Sequence, residues 1–127
     1  MAPDTSDGAR PTHVIADLHD VDPALLRDAA RIEALMRAAA DAARARIVAA
    51  HFHRFGGEGG VTGVLLLAES HLSIHTWPEH GLAAVDAFMC GDARAEVAVA
   101  SLSTAMRARL GTHAVVVRGV RPRQASQ

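Results

Sequence analysis

Residues 68–79 hold most of the side chains whose types and spacing could carry chemistry. Ser70 and Ser73 supply hydroxyl groups, and His71 and His75 supply imidazoles. Glu69 and Glu79 supply carboxylates near the two ends of the stretch. A hydroxyl beside a histidine and an acid suits nucleophilic catalysis, whereas histidine with a carboxylate also binds metals. These residues therefore fit more than one kind of site.

A metal site is one alternative. His51 and His53, and likewise His71 and His75, are spaced so that each pair shares one face of a strand, with Glu69 nearby. No carboxylate or thiol spacing typical of a structural zinc site accompanies them, and strand histidines are often simply hydrogen-bonded polar residues. The sequence therefore favours no metal.

A hydrolase or a thiol enzyme is the other alternative. Ser70 or Ser73 could pair with His75, but the strained Gly-x-Ser-x-Gly turn of the serine hydrolases is missing. Cys90 is the single cysteine, and a lone cysteine is more often a small core residue than a nucleophile. Spacing alone does not decide among these possibilities.

Composition excludes several classes of function. All 13 basic residues are arginines, so no lysine can form a Schiff base with pyridoxal phosphate (PLP). A net charge of -1 with scattered charges disfavours nucleic-acid and membrane partners. No apolar run approaches the roughly 18 residues of a membrane span, and the N-terminus does not resemble a signal peptide. We therefore expect a cytoplasmic protein.

The elements that must position these residues follow from the hydrophobic pattern. Half of the residues are hydrophobic, which suffices for a single domain over residues 1–127. The predicted order is a flexible lead-in (1–11), a strand (12–18), a helix (23–44), strands (46–55, 61–68, 69–77, 82–90), a second helix between Gly91-Asp92 and Gly111, a strand (112–120) and a tail (121–127). This predicts an α+β fold: a two-layer sandwich with a mostly antiparallel sheet and two helices packed on one face. Its free sheet face or edge predicts a homodimer.

The glycine-rich segment at residues 56–60 has two interpretations. A phosphate-binding loop would need a following helix and a lysine or threonine at fixed spacing. A buried strand follows instead, so the segment is predicted to be a hairpin loop.

Read as one string, residues 69–79 are Glu-Ser-His-Leu-Ser-Ile-His-Thr-Trp-Pro-Glu, followed by Ala-Ala-Val-Asp-Ala-Phe at 83–88 and Cys-Gly-Asp at 90–92. These motifs closely resemble the bacterial and archaeal S-adenosylmethionine decarboxylase proenzymes, which are pyruvoyl-dependent. His-Arg-Phe at 53–55 and Val-Thr-Gly at 61–63 match the same family, and the resemblance spans about residues 12–118.

The resemblance implies that the chain cleaves itself between Glu69 and Ser70, giving a beta chain (1–69) and an alpha chain (70–127) that stay together. The Ser70 hydroxyl would attack the Glu69 carbonyl, and Ser70 would end as a pyruvoyl group, the cofactor. His75 matches the base that removes the Ser70 α-proton. Thr62 matches a family serine that supports processing.

The implied reaction is decarboxylation of S-adenosylmethionine for spermidine and polyamine biosynthesis. The pyruvoyl carbonyl would form a Schiff base with the amine of this small-molecule substrate, so neither PLP nor a metal is needed. Cys90 matches the proton donor, Phe55 the residue that stacks on adenine, and Glu79 the acceptor of ribose hydroxyls. An altered glycine loop, with Thr62 in place of serine, leaves ornithine or arginine open as the substrate. An unprocessed binding or regulatory homologue is a further alternative.

Overall fold

The computed structural model describes residues 10–119 as an antiparallel sheet with helices on one of its faces. The strands and helices, in chain order, are β1 (Thr12–His19), α1 (Pro23–Leu26), α2 (Ala29–Ala42), β2 (Ile47–Arg54), β3 (Val61–Leu67), β4 (Ser70–Trp77), β5 (Leu82–Met89), α3 (Ala95–Ala105) and β6 (Arg109–Val117). The order across the sheet is β2-β3-β4-β5-β1-β6, and every neighbouring pair is antiparallel. The predicted α+β sandwich is confirmed. Most of the predicted lead-in and the whole tail lie outside the described residues.

The side chains of β4 alternate between the two faces of the sheet as predicted. Leu72, Ile74 and Thr76 are buried beneath the helices, where they join a core with alternate residues of β1, β3 and β5. The other face of β4 carries His71, Ser73, His75 and Trp77, which are all more exposed. No helix within residues 10–119 is long and apolar enough to cross a bilayer.

The helix predicted over residues 23–44 is two helices. Asp22 caps α1 by accepting a hydrogen bond from the backbone N–H of Ala24, as the Asp-Pro pair predicts. Asp28, however, has an extended backbone, and its carboxylate accepts from the N–H of Arg31. It therefore starts a new helix, and the prediction of one helix was wrong because the apolar spacing continues across this second cap.

The boundaries predicted for the last helix were also wrong. Gly91 and Asp92 lie in a turn, and α3 begins at Ala95 and ends at Ala105. Gly111 lies within β6, where an added Cβ would come within 2.4 Å of the His19 ring. Close strand packing, rather than helix termination, therefore explains this glycine.

The chain reverses direction immediately before the candidate cleavage site. The sequence predicted that residues 69–77 continue an extended segment, but Ala68 and Glu69 form a two-residue loop between antiparallel β3 and β4, with Leu67 opposite Ser70. The glycine segment at 56–60 likewise joins β2 to β3, which confirms the hairpin interpretation.

Candidate active site

The predicted cleavage site lies at one end of the sheet, in the hairpin loop between β3 and β4. Glu69 has φ of +61°, in the left-handed region that costs a residue with a side chain roughly 1–2 kcal/mol. The Cys90 Sγ lies 3.9 Å from the Ser70 Oγ and 3.6 Å from the Glu69 carbonyl oxygen. A hydroxyl, the carbonyl that it would attack and a thiol that donates to that carbonyl therefore meet at a strained peptide.

The other predicted site residues lie at the opposite end of β4. Thr62 Oγ1 and His75 Nδ1 are joined by a hydrogen bond of 3.1 Å between directly paired positions of β3 and β4. Both residues line a cavity of about 710 Å³ together with Phe55 and Glu79. The Phe55 residue is 50% exposed, so its ring can stack on a planar ligand beside a carboxylate that accepts hydrogen bonds.

These two groups of residues do not meet within one chain. Ser70 and His75 are five positions apart on β4, which separates their Cα atoms by about 17 Å at the rise of a strand. The cavity is lined by neither Ser70 nor Cys90. Since a general base must come within hydrogen-bond reach of its proton, one chain carries both halves of the predicted site but keeps them apart.

A polar network that the sequence did not predict lies midway along the open face. His13 Nε2 and His71 Nε2 lie 2.6 Å and 2.8 Å from Asp86 Oδ2, and the Ser73 hydroxyl donates to Oδ1. These residues come from β1, β4 and β5, so only the strand order brings them together. Burial acts to raise the pKa of Asp86, but hydrogen bonds from Ser73, His71 and His13 and the charge of His71 outweigh it and hold the pKa below its usual value.

Two histidines and a carboxylate also raise the question of a metal. Within residues 10–119, His13, His71 and Asp86 are the only three potential ligand residues whose ligand atoms all lie within 4.8 Å of one another. The histidine pairs considered from spacing do not form such a group. Arg118 Nη1, however, lies 3.0 Å from His13 Nδ1 and can only donate. His13 therefore carries its proton on Nε2 and donates to Asp86, whereas a metal ligand would need the opposite arrangement. The geometry fits a hydrogen-bond network rather than a metal centre.

Replacing Asp86 by asparagine is expected to lower the free energy of unfolding by roughly 2 kcal/mol at about pH 7, because a charged acceptor of several hydrogen bonds is lost. The lowered pKa of Asp86 means that its contribution is complete above the unfolded pKa, about 3.9, and disappears as the pH falls through the folded value. The difference between variant and wild type should therefore shrink in acid. Urea unfolding of both proteins, from about pH 7 down to the acid range, measures this difference in the free energy of unfolding.

Asp20→Asn supplies the control for this measurement. Asp20 bonds Arg109 in an exposed ion pair, which contributes at most about 1 kcal/mol. Two results would contradict the prediction: Asp86→Asn no more destabilising than Asp20→Asn, or an effect of Asp86→Asn that is independent of pH. Either would mean that the charge of the Asp86 carboxylate does not contribute to the free energy of unfolding.

The fold and the site together define a small α+β protein in which a serine–thiol pair adjoins a strained hairpin at one end of an open antiparallel sheet. A family model described as S-adenosylmethionine decarboxylase matches residues 12–119. The chain belongs to this family.

Individual relatives agree with this assignment. The S-adenosylmethionine decarboxylase proenzyme of Thermodesulfovibrio yellowstonii is 37% identical over 110 residues, which cover 86% of this chain and 81% of that protein. The proenzyme of Prochlorococcus marinus is 54% identical over 80 residues, so the match spans 63% of its length. The crystal structure of the adenosylmethionine decarboxylase from Aquifex aeolicus VF5 has a TM-score of 0.81 and 36% identity, and the match covers 94% of this chain and 98% of that one.

Proposed function

We propose that this protein is a self-processing, pyruvoyl-dependent S-adenosylmethionine decarboxylase, which supplies decarboxylated S-adenosylmethionine for spermidine and polyamine biosynthesis in the cytoplasm. The observation that carries the proposal is the contact of Ser70 and Cys90 with the strained Glu69 peptide. Membership of the family, over 108 of the 127 residues counted from 12 to 119, supports the decarboxylase activity.

In the proposed processing reaction, the Ser70 oxygen attacks the Glu69 carbonyl carbon and the peptide bond becomes an ester. The Cys90 thiol, which donates to that carbonyl oxygen, stabilises the charge that develops there. Removal of the Ser70 α-proton then breaks the bond between Cβ and the ester oxygen, and Glu69 leaves as the carboxyl end of residues 1–69. Water converts the dehydroalanine to a pyruvoyl group and releases ammonia.

The residues around Ser70 fit this cofactor. A pyruvoyl carbonyl supplies an electron sink by condensing with the amine that the substrate brings, which suits a chain without lysine. Cys90 Sγ lies 3.9 Å from the Ser70 oxygen, so its thiol is placed to return a proton to the substrate carbon after carbon dioxide leaves.

A second copy of the chain is needed to bring the two halves of the site together. The open face of the sheet, on which no helix of residues 10–119 packs, exposes several large apolar side chains by 41–46%: Ile15, Leu66, Trp77 and Val116. Two copies stacked through these faces about a twofold axis would bury them, as isologous dimers do. If the twofold axis runs across the strands, the rotation reverses the direction of β4, so that the Ser70 end of one chain lies over the His75 end of its partner.

Each site of this homodimer would combine Ser70 and Cys90 of one chain with the cavity of the other. The partner's His75, oriented by Thr62, would remove the α-proton of Ser70. The partner's Phe55 would stack on adenine, and its Glu79 would accept hydrogen bonds from the ribose hydroxyls.

The substrate is tested by comparing carbon dioxide release from S-adenosylmethionine, ornithine and arginine, each labelled in the carboxyl group. We expect S-adenosylmethionine to exceed the other two by about 100-fold or more in kcat/KM, because ornithine and arginine lack the nucleoside that Phe55 and Glu79 would bind. Glu79→Gln should lower the ratio of kcat/KM for S-adenosylmethionine to kcat/KM for ornithine or arginine.

The reverse order would identify the protein as an ornithine or arginine decarboxylase on the same fold. An intact chain that releases carbon dioxide from none of the three would favour the unprocessed binding or regulatory homologue.

A further inference from the structure

The break between α1 and α2 connects the helix layer to the cavity. Leu26 O accepts a hydrogen bond from Thr76 Oγ1 at 2.7 Å, and the same hydroxyl oxygen accepts from the backbone N–H of Val61 at 2.8 Å. Arg27 O accepts from Arg54 Nε at 2.8 Å. Carbonyls at the end of a helix need such external partners, and here the sheet supplies them.

The Arg54 guanidinium also binds the loop that forms one wall of the cavity. Besides Arg27 O, it donates from Nη1 to Phe55 O at 3.1 Å and from Nη2 to Gly57 O at 2.9 Å. One planar group thus joins the helix break to two carbonyls at the start of the loop over residues 55–60. Lysine could not reproduce this, because its N–H donors all lie on one nitrogen and cannot reach three separate carbonyl oxygens.

This loop needs an external constraint. Four of its six residues are glycines, which lose more conformational entropy on ordering than any other residue. The loop has two internal backbone bonds, Phe55 N to Gly60 O at 2.9 Å and Gly59 N to Gly56 O at 3.0 Å. Arg27 adds little, because its ion pair is with a Glu58 side chain that is 89% exposed and its Nε lies 3.5 Å from Glu58 O, which is long for a hydrogen bond.

From these contacts, and resting on the proposed function, we propose that Arg54 is a positioning residue for the nucleoside part of the substrate. It fixes the glycine loop so that the Phe55 ring borders the cavity in one orientation. Arg54 is not among the residues that line the cavity, so it acts through the loop rather than by touching the substrate. The Thr62–His75 bond and the Ser70–Cys90 contact do not involve Arg54, so self-cleavage and the chemical step are independent of it.

The kinetic test uses three variants of the full chain. Arg54→Met keeps much of the side-chain bulk and removes the donors, and Arg54→Lys keeps the charge. Arg37→Met removes another arginine, one whose exposed ion pair with Glu33 lies on α2 away from the loop. We expect KM for S-adenosylmethionine to rise about tenfold in both Arg54 variants, with kcat within about twofold, complete self-cleavage and no change in Arg37→Met.

An unchanged KM in Arg54→Met would overturn the inference, as would a fall in kcat at constant KM. A wild-type KM in Arg54→Lys would also overturn it, because charge alone would then be sufficient.

A binding experiment separates this inference from the proposed function. In a Ser70→Ala background, which neither cleaves nor turns over, 5′-methylthioadenosine is titrated while the fluorescence of Trp77 is recorded. Trp77 is the only tryptophan of the chain, and it lines the cavity. Adding Arg54→Met should weaken binding about tenfold, whereas adding Arg37→Met should not. If the Ser70→Ala chain bound no nucleoside, the proposed function would fail; equal affinities with and without Arg54 would overturn this inference alone.

Discussion

Replacing Ser70 by alanine is expected to leave the chain whole and to abolish decarboxylation. Without the hydroxyl no ester can form at Glu69, so residue 70 cannot become a carbonyl. The chain contains no lysine that could form an imine in its place. Mass spectrometry of the wild type should find residues 1–69 and 70–127 as separate species, the second blocked to N-terminal sequencing, whereas the variant should give one intact mass.

Ser73→Ala is the matched control, since Ser73 lies on the same strand and bonds Asp86 rather than the cleavage site. It should cleave as the wild type does. Cleavage of the Ser70→Ala chain at the same bond, or a wild-type chain that stays intact after long incubation, would contradict self-processing at Ser70.

Elements with a regular hydrophobic period could be predicted from the sequence, and those set by close contacts could not. The alternation of β4 predicted which face each side chain takes, because one face of an antiparallel sheet is buried and the other is not. The break at Arg27–Asp28 was missed, because Asp28 interrupts the helix with a cap while the apolar spacing continues on both sides. Gly111 was misassigned because its role depends on a contact between strands. The His19 ring of β1 packs so close to Gly111 in β6 that there is no room for a side chain.

The motif predicts which residues form the candidate site, and this stays a prediction, but it carries no signal of how those residues are arranged. The motif at residues 69–79 contains Ser70, His75 and Glu79 within a few positions, which suggests one compact site. Strand β4 instead places its two ends, Ser70 and Trp77, about 23 Å apart, over seven steps of about 3.3 Å. The Asp86 network was missed because its members meet only through the pairing of β1, β4 and β5, and a linear sequence carries no signal of that pairing.

Co-expressing Ser70→Ala with His75→Ala is expected to restore cleavage, although each variant alone should remain intact. In a mixed dimer with shared sites, one site contains the intact Ser70 of the His75→Ala chain and the intact His75 of the Ser70→Ala chain. The other site lacks both groups. If the 17 Å separation holds within each chain, only the His75→Ala chain should therefore be cleaved.

Distinct affinity tags on the two chains allow mixed dimers to be isolated and each chain to be weighed by mass spectrometry. With equal expression and random pairing, about half of the dimers are mixed and about a quarter of all sites are intact, which sets the activity expected of the unfractionated mixture. Two differently tagged copies of Ser70→Ala serve as the control and should never be cleaved. Cleavage of the His75→Ala chain on its own would show that its partner's His75 is not required, and no cleavage in isolated mixed dimers would show that the site is built within one chain.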